Sequence, residues 1–113
     1  MTNKHFSFAY AEAANYTDAD AYVSDLALSS MWEDVQDAEI PAERLEQLRE
    51  IWQAAHRSVM EIRTIAGYKS MSSFAERLCI PYRTLQDWEA GRRECAPWLR
   101  LMMQEALGLI DRS

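Results

Sequence analysis

Residues 69–93, KSMSSFAERLCIPYRTLQDWEAGRR, read as two short helices joined by a tight turn. Ser70 is a good N-cap, because its hydroxyl can accept a hydrogen bond from an unpaired backbone N–H in the first turn. Phe74, Ala75 and Leu78 then recur at helical spacing and give one apolar side, while Glu76 and Arg77 point outward. This helix is expected to run to about Cys79 and to be stopped by Pro81. Proline cannot continue a helix but suits the first turn of the next, and it restricts Ile80 to an extended conformation. The second helix follows over residues 82–90, with Leu85 and Trp88 three apart and facing inward. Gly91 ends it, as the residue that takes the left-handed conformation at little cost, and Arg92 and Arg93 place positive charge at the negative end of the helix dipole. Glu89 is expected to pair locally with Arg92 or Arg93, a surface interaction contributing about 0–1 kcal/mol.

Upstream, residues 42–66 contain neither glycine nor proline, and Pro41 opens them at the first helical position. Leu45, Leu48, Trp52, Ala55, Val59, Ile62 and Ala66 keep to spacings of three and four, which predicts one long amphipathic face; a bend at His56 to Ser58 stays open. Before it, Thr17 is predicted to cap a helix with Asp18 and Asp20 in its first turn. Tyr22, Leu26, Leu28, Met31, Trp32 and Val35 spread over more than one stripe of that helix, so it should be well buried, and residues 36–39 form a polar connection. The two helices should pack antiparallel as a hairpin. In residues 1–16, Phe6, Phe8 and Tyr10 alternate like a strand whereas residues 9–14 favour a helix, so periodicity does not decide. They read as an arm packed on its own domain, or else exchanged with a second copy. Downstream, Pro97 starts a last helix whose Trp98, Leu99, Met102, Met103, Ala106, Leu107 and Leu109 serve the core or a dimer contact.

The 113 residues suffice for a single core without disulfides or metal, and 49% hydrophobic content is globular rather than disordered. Three glycines, three prolines and few β-branched runs predict an all-α chain. Cys79 and Cys95 have no metal-ligand spacing around them, so a metal site and a cofactor are not expected; they read as reduced thiols of a cytoplasmic protein, Cys79 packing between helices and Cys95 in a loop. No secretory signal and no apolar run of spanning length is present. Charge is divided unevenly. Residues 1–57 carry eleven Asp/Glu against four Lys/Arg, a net −7, and residues 58–113 carry seven against eight, a net +1.

The pairing of Phe74-Ala75 with a corner after Cys79 and with Trp88-Glu89-Ala90-Gly91-Arg92 resembles the helix-turn-helix of the Xre/Cro family of phage-repressor-like DNA-binding proteins. Met60-Glu61-Ile62-Arg63 with Gly67 looks like that family's first helix, and the stretch from Pro97 to Leu107-Gly108-Leu109 like its fourth. Cys79 stands at the turn position the family often gives to glycine, and Met71 where it commonly has a polar, phosphate-contacting side chain. The resemblance covers about Met60 to Ile110 and implies a four- or five-helix repressor-like domain, residues 58–113; the acidic N-terminal region, residues 1–57, is read from its apolar spacing as a helical hairpin fused to that domain. The resemblance also implies which residues meet DNA. Tyr82, Arg83, Gln86 and Asp87 fill the positions that face base edges in the major groove. Arg83 can donate two hydrogen bonds to guanine, Gln86 can pair with adenine, and Asp87 can accept from cytosine or hold Arg83 in place. Lys69, Ser70, Thr84, Arg92 and Arg93 are the phosphate candidates, which position the protein without reading sequence.

The function expected on this basis is a transcriptional regulator of phage, mobile-element or antitoxin type that binds double-stranded DNA as a homodimer. The alternative is an interaction module, or a mimic of DNA, whose acidic N-terminal region engages a basic protein. Catalysis has little in its favour: His5 and His56 stand apart from any nucleophile motif, phosphate loop or metal spacing, and the carboxylates of the acidic half fall at mixed spacings.

Overall fold

The structure, a computed structural model, describes residues 1–32 and 40–112; the roles expected of Val35 and of residues 36–39 lie outside them. Among the described residues there are seven helices and no strand: α1 Asn3–Ala13, α2 Ala19–Ala27, α3 Ala42–His56, α4 Val59–Ile65, α5 Met71–Leu78, α6 Tyr82–Glu89 and α7 Pro97–Ala106. None of these helices is long and apolar enough to cross a membrane. The contacts divide the chain into two units, Met1–His56 with Arg112, and Arg57–Asp111.

In the first unit α3 packs against both α1 and α2. The N-terminal residues are helical, because Thr2 caps α1 by accepting from the His5 amide at 3.1 Å and because Phe6, Ala9, Tyr10 and Ala13 bury one helical stripe. Phe8, which the strand-like alternation grouped with Phe6, points outward and is 48% exposed. Asp18, not Thr17, caps α2, accepting from the Asp20 amide at 3.1 Å. That helix stops at Ala27, so Leu28 is exposed, Met31 follows in a turn and Trp32 lies outside any helix. Tyr22 is fully buried and donates its hydroxyl to the Ala9 carbonyl at 2.7 Å, tying α2 to α1. The buried stripe of α3 is Leu48, Ile51 and Ala54, rotated from the predicted one, and Leu45 stays exposed. Trp52 donates from its indole to the Tyr16 carbonyl at 3.0 Å.

The predicted long helix is cut at residues 57–58 by a capping box. The Ser58 hydroxyl accepts from the Glu61 amide at 3.1 Å, and the Glu61 carboxylate accepts from the Ser58 amide at 3.0 Å. Two unpaired donors are satisfied reciprocally, which favours a fresh helix start over continuation. In this second unit Val59, Ile62, Phe74, Ala75, Leu85, Cys95 and Met103 form the core, with Tyr68, Leu78, Trp88, Leu99 and Leu107 packed around it. Pro97 holds the first helical position of α7, as expected, but Trp98 and Met102 face outward while Leu101 and Met103 are buried. Gln104 is fully buried; its amide oxygen accepts from Arg57 at 3.1 Å and its nitrogen donates to the Arg100 carbonyl at 3.3 Å.

Candidate nucleic-acid interface

Three features set the geometry of α5, the following turn and α6. The first is how α5 ends. Cys79 adopts a left-handed conformation, φ 56°, so that the Ile80 amide reaches back to the Ala75 carbonyl at 2.9 Å and the Cys79 amide to Glu76 at 3.4 Å. This closing pattern satisfies two orphaned carbonyls and reverses the chain in two residues. The helix therefore ends before Pro81 is reached, and Pro81 instead occupies the N-cap of α6 with φ −54°. Cys79 is exposed rather than packed between helices, whereas Cys95 lies in a loop as expected but is buried, and desolvation raises its thiol pKa.

The second feature is an anchor from α4 to α6. Arg63 makes a two-pronged pair with Glu89, Nε to Oε2 at 2.9 Å and a terminal nitrogen to Oε1 at 3.0 Å, with side chains only 14% and 6% exposed. Its remaining terminal nitrogen donates to the Tyr68 and Lys69 carbonyls, each at 2.9 Å. The expected surface pairing of Glu89 with Arg92 or Arg93 is thus replaced by a largely buried one from 26 positions upstream. Sequence spacing hides such a partner, because helical neighbours three apart are visible in the chain and tertiary ones are not.

The third feature is the outward side of α6. Leu85 is fully buried and Trp88 packs against the core, so the opposite face is left to Tyr82, Arg83 and Gln86. Tyr82 is exposed, Arg83 is 81% exposed and Gln86 is half-buried. Pro81 brings no capping side chain, so the first-turn amides of α6 have no side-chain acceptor at the positive end of its dipole.

Asp87 sits below this face with its carboxylate 13% exposed. Its Oδ1 accepts from Arg92 Nε at 2.9 Å and lies 3.4 Å from Arg83 Nε. The hydrogen bond from Arg92, with the Arg83 charge adding to it, holds the carboxyl pKa below the ordinary Asp value. Among the phosphate candidates, Lys69, Arg92 and Arg93 are exposed and Thr84 is half-buried. Ser70 is exposed as well, but its hydroxyl caps α5, accepting from the Ser73 amide at 3.2 Å and sharing a hydrogen bond with the Ser73 hydroxyl at 2.8 Å. The fold therefore brings Tyr82, Arg83, Gln86 and Asp87 onto or just beneath one helix, with Arg92 joined to them through Asp87. Arg63, which has structural weight here, carries no local sequence signal of its role, whereas the left-handed turn of Cys79 falls at the position where the family often has glycine. Comparison with protein-family models, curated proteins and solved structures gives no match to this chain.

Proposed function

We propose that this chain is a sequence-specific DNA-binding transcriptional regulator of the Xre/Cro helix-turn-helix type, of phage, mobile-element or antitoxin kind, acting as a homodimer. The observation that carries this reading is the mounting of α6. The helix is fastened from behind by Glu89 and Leu85 while its N-terminal residues Tyr82 and Arg83 face outward, which is the attitude of a recognition helix that meets base edges with its first turn. Arg83 contributes a bidentate donor suited to guanine, Gln86 a donor and acceptor suited to adenine, and Lys69, Arg92 and Arg93 contribute charge for phosphate. The net charge of residues 58–113 is only +1, so one copy has a weak electrostatic hold. Two-fold symmetry doubles both the charge and the bases read.

Selection of bound duplexes from a random library tests the proposal, and a palindrome with two equal half-sites is the expected product. On that sequence Arg83→Ala should weaken binding by about 1–3 kcal/mol and relax one base position per half-site. Unchanged affinity and preference would remove Arg83 from the mechanism. A second reading, a module that presents its acidic side to a basic protein, is favoured by the net −7 of residues 1–57. Failure to bind any duplex at low salt, together with salt-sensitive capture of a basic protein, would decide for it.

A further inference from the structure

We propose that Asp87 reads no base and instead holds Arg83 and Arg92 as a pair, so that Arg83 presents both terminal nitrogens to a guanine while Arg92 presents its own to a phosphate. The inference rests on the DNA-binding reading given above and adds to it that each half-site contains a guanine read through a carboxylate-oriented arginine.

The geometry is one-sided. Both guanidinium groups turn Nε toward the same Oδ1 of Asp87, Arg92 at 2.9 Å and Arg83 at 3.4 Å. The terminal nitrogens of both have no partner among the described residues. A guanidinium offers its donors in a rigid fork, so the hydrogen bond from Arg92 Nε fixes the plane in which its remaining pair points, while the ion pair draws the Arg83 guanidinium to the same carboxylate oxygen. Depth agrees with this order: the carboxylate is 13% exposed, under two side chains that are 81% and 58% exposed. To accept from cytosine, Asp87 would have to reach past both arginines and leave their charges unmatched. Held where it is, the acid is neutralised on the side that faces phosphate, and the three groups together carry a net single positive charge.

The Arg83 contact does little while water surrounds it, since exposed ion pairs are screened and their long side chains remain free. Seating α6 in a groove expels that water, and in the lower effective dielectric the same contact restrains the arginine more strongly. The restraint acts on discrimination more than on overall affinity, because a removed carboxylate also removes repulsion from the phosphates.

The experiment uses the full chain and the duplex recovered by selection, with every base pair of the half-site varied in turn. Asp87→Asn is expected to lower discrimination at the guanine position about tenfold. In an Arg83→Ala background the same substitution should have no further effect on discrimination, a coupling that general loosening of the fold would not give. Relaxation at a different position, one requiring cytosine, would assign Asp87 to direct reading and overturn the proposal. Additive losses from Asp87→Asn and Arg83→Ala would overturn it too. Should Asp87→Asn fail to fold, Asp87→Glu keeps the charge, displaces it by one methylene, and completes the same cycle with the same two outcomes. A wild-type chain that binds no duplex at low salt sinks this inference along with the DNA-binding reading; one that selects a sequence yet shows no coupling sinks the inference alone.

Discussion

At Cys79 a residue with a side chain does what glycine usually does. A left-handed conformation costs an L-residue roughly 1–2 kcal/mol, and Cys79 adopts it at φ 56° with its thiol exposed, so no buried contact of the sulfur offsets the strain. Cys79→Gly should therefore raise stability by about 0.5–1 kcal/mol, after allowing for the greater freedom of glycine in the unfolded chain. Cys79→Val, branched at Cβ, should lower stability by on the order of 1 kcal/mol. Urea titrations of the three proteins measure both, and equal midpoints would mean that the turn relaxes in solution. Asp87 gives a second test at this scale. Its pKa is depressed in the folded protein, chiefly by Arg92, so its contribution is complete above the range where a free Asp titrates and is lost as pH falls from that range through the lowered value. Carboxyl-carbon NMR across an acid titration should place Asp87 below ordinary aspartates, and Arg92→Ala should bring it back up.

Between elements, the Arg63–Glu89 pair decides how α6 is carried. Removing one member of a largely buried ion pair leaves the other charge stranded, so Glu89→Ala should cost about 3–5 kcal/mol by chemical denaturation. Replacing both members, Arg63→Met with Glu89→Leu, should recover most of the loss, because neither charge then remains to be desolvated. The same pair marks the limit of what the sequence discloses. Ser70, Leu85 and Gly91 announce α5 and α6 because caps and apolar periodicity are local rules. Glu89 instead finds a partner 26 positions away although Arg92 stands three away. Ser58 and Glu61 were readable as a capping box, yet the unbroken apolar spacing through them suggested continuity, and the two signals compete in any single chain. For α1, alternation of three aromatics imitates a strand over five residues, and only burial of Phe6 and Tyr10 with Phe8 left outside separates the possibilities. Of the candidate interface, Tyr82, Arg83 and Gln86 follow from their place on a short amphipathic helix. The pairing of Asp87 with Arg83 follows as well, since the two stand four apart on one helix, but its hydrogen bond from Arg92 does not, because a side chain bridging past a helix end has no fixed spacing.

At the scale of the whole chain, charge is the main lever on the proposed DNA binding. If Lys69, Arg92 and Arg93 each neutralise one phosphate in both copies of a dimer, affinity for duplex should fall with salt at a logarithmic slope of about −5. Arg93→Ala should reduce that slope by about 2 while leaving the preferred sequence unchanged. A slope near zero would mean that the acidic residues 1–57 cancel the cationic face. Helices α4, α5, α6 and α7 all end in one way, with a left-handed residue at Gly67, Cys79, Gly91 and Gly108 and a reach-back from the next amide to the carbonyl of Arg63, Ala75, Asp87 and Gln104. Around the three glycines nothing lies within 4 Å of where a methyl group would be added. Random mutagenesis should thus find these positions intolerant in apparently open space, and no compensating change in a neighbour should act as a suppressor, because the obstacle lies in the torsion of the main chain itself.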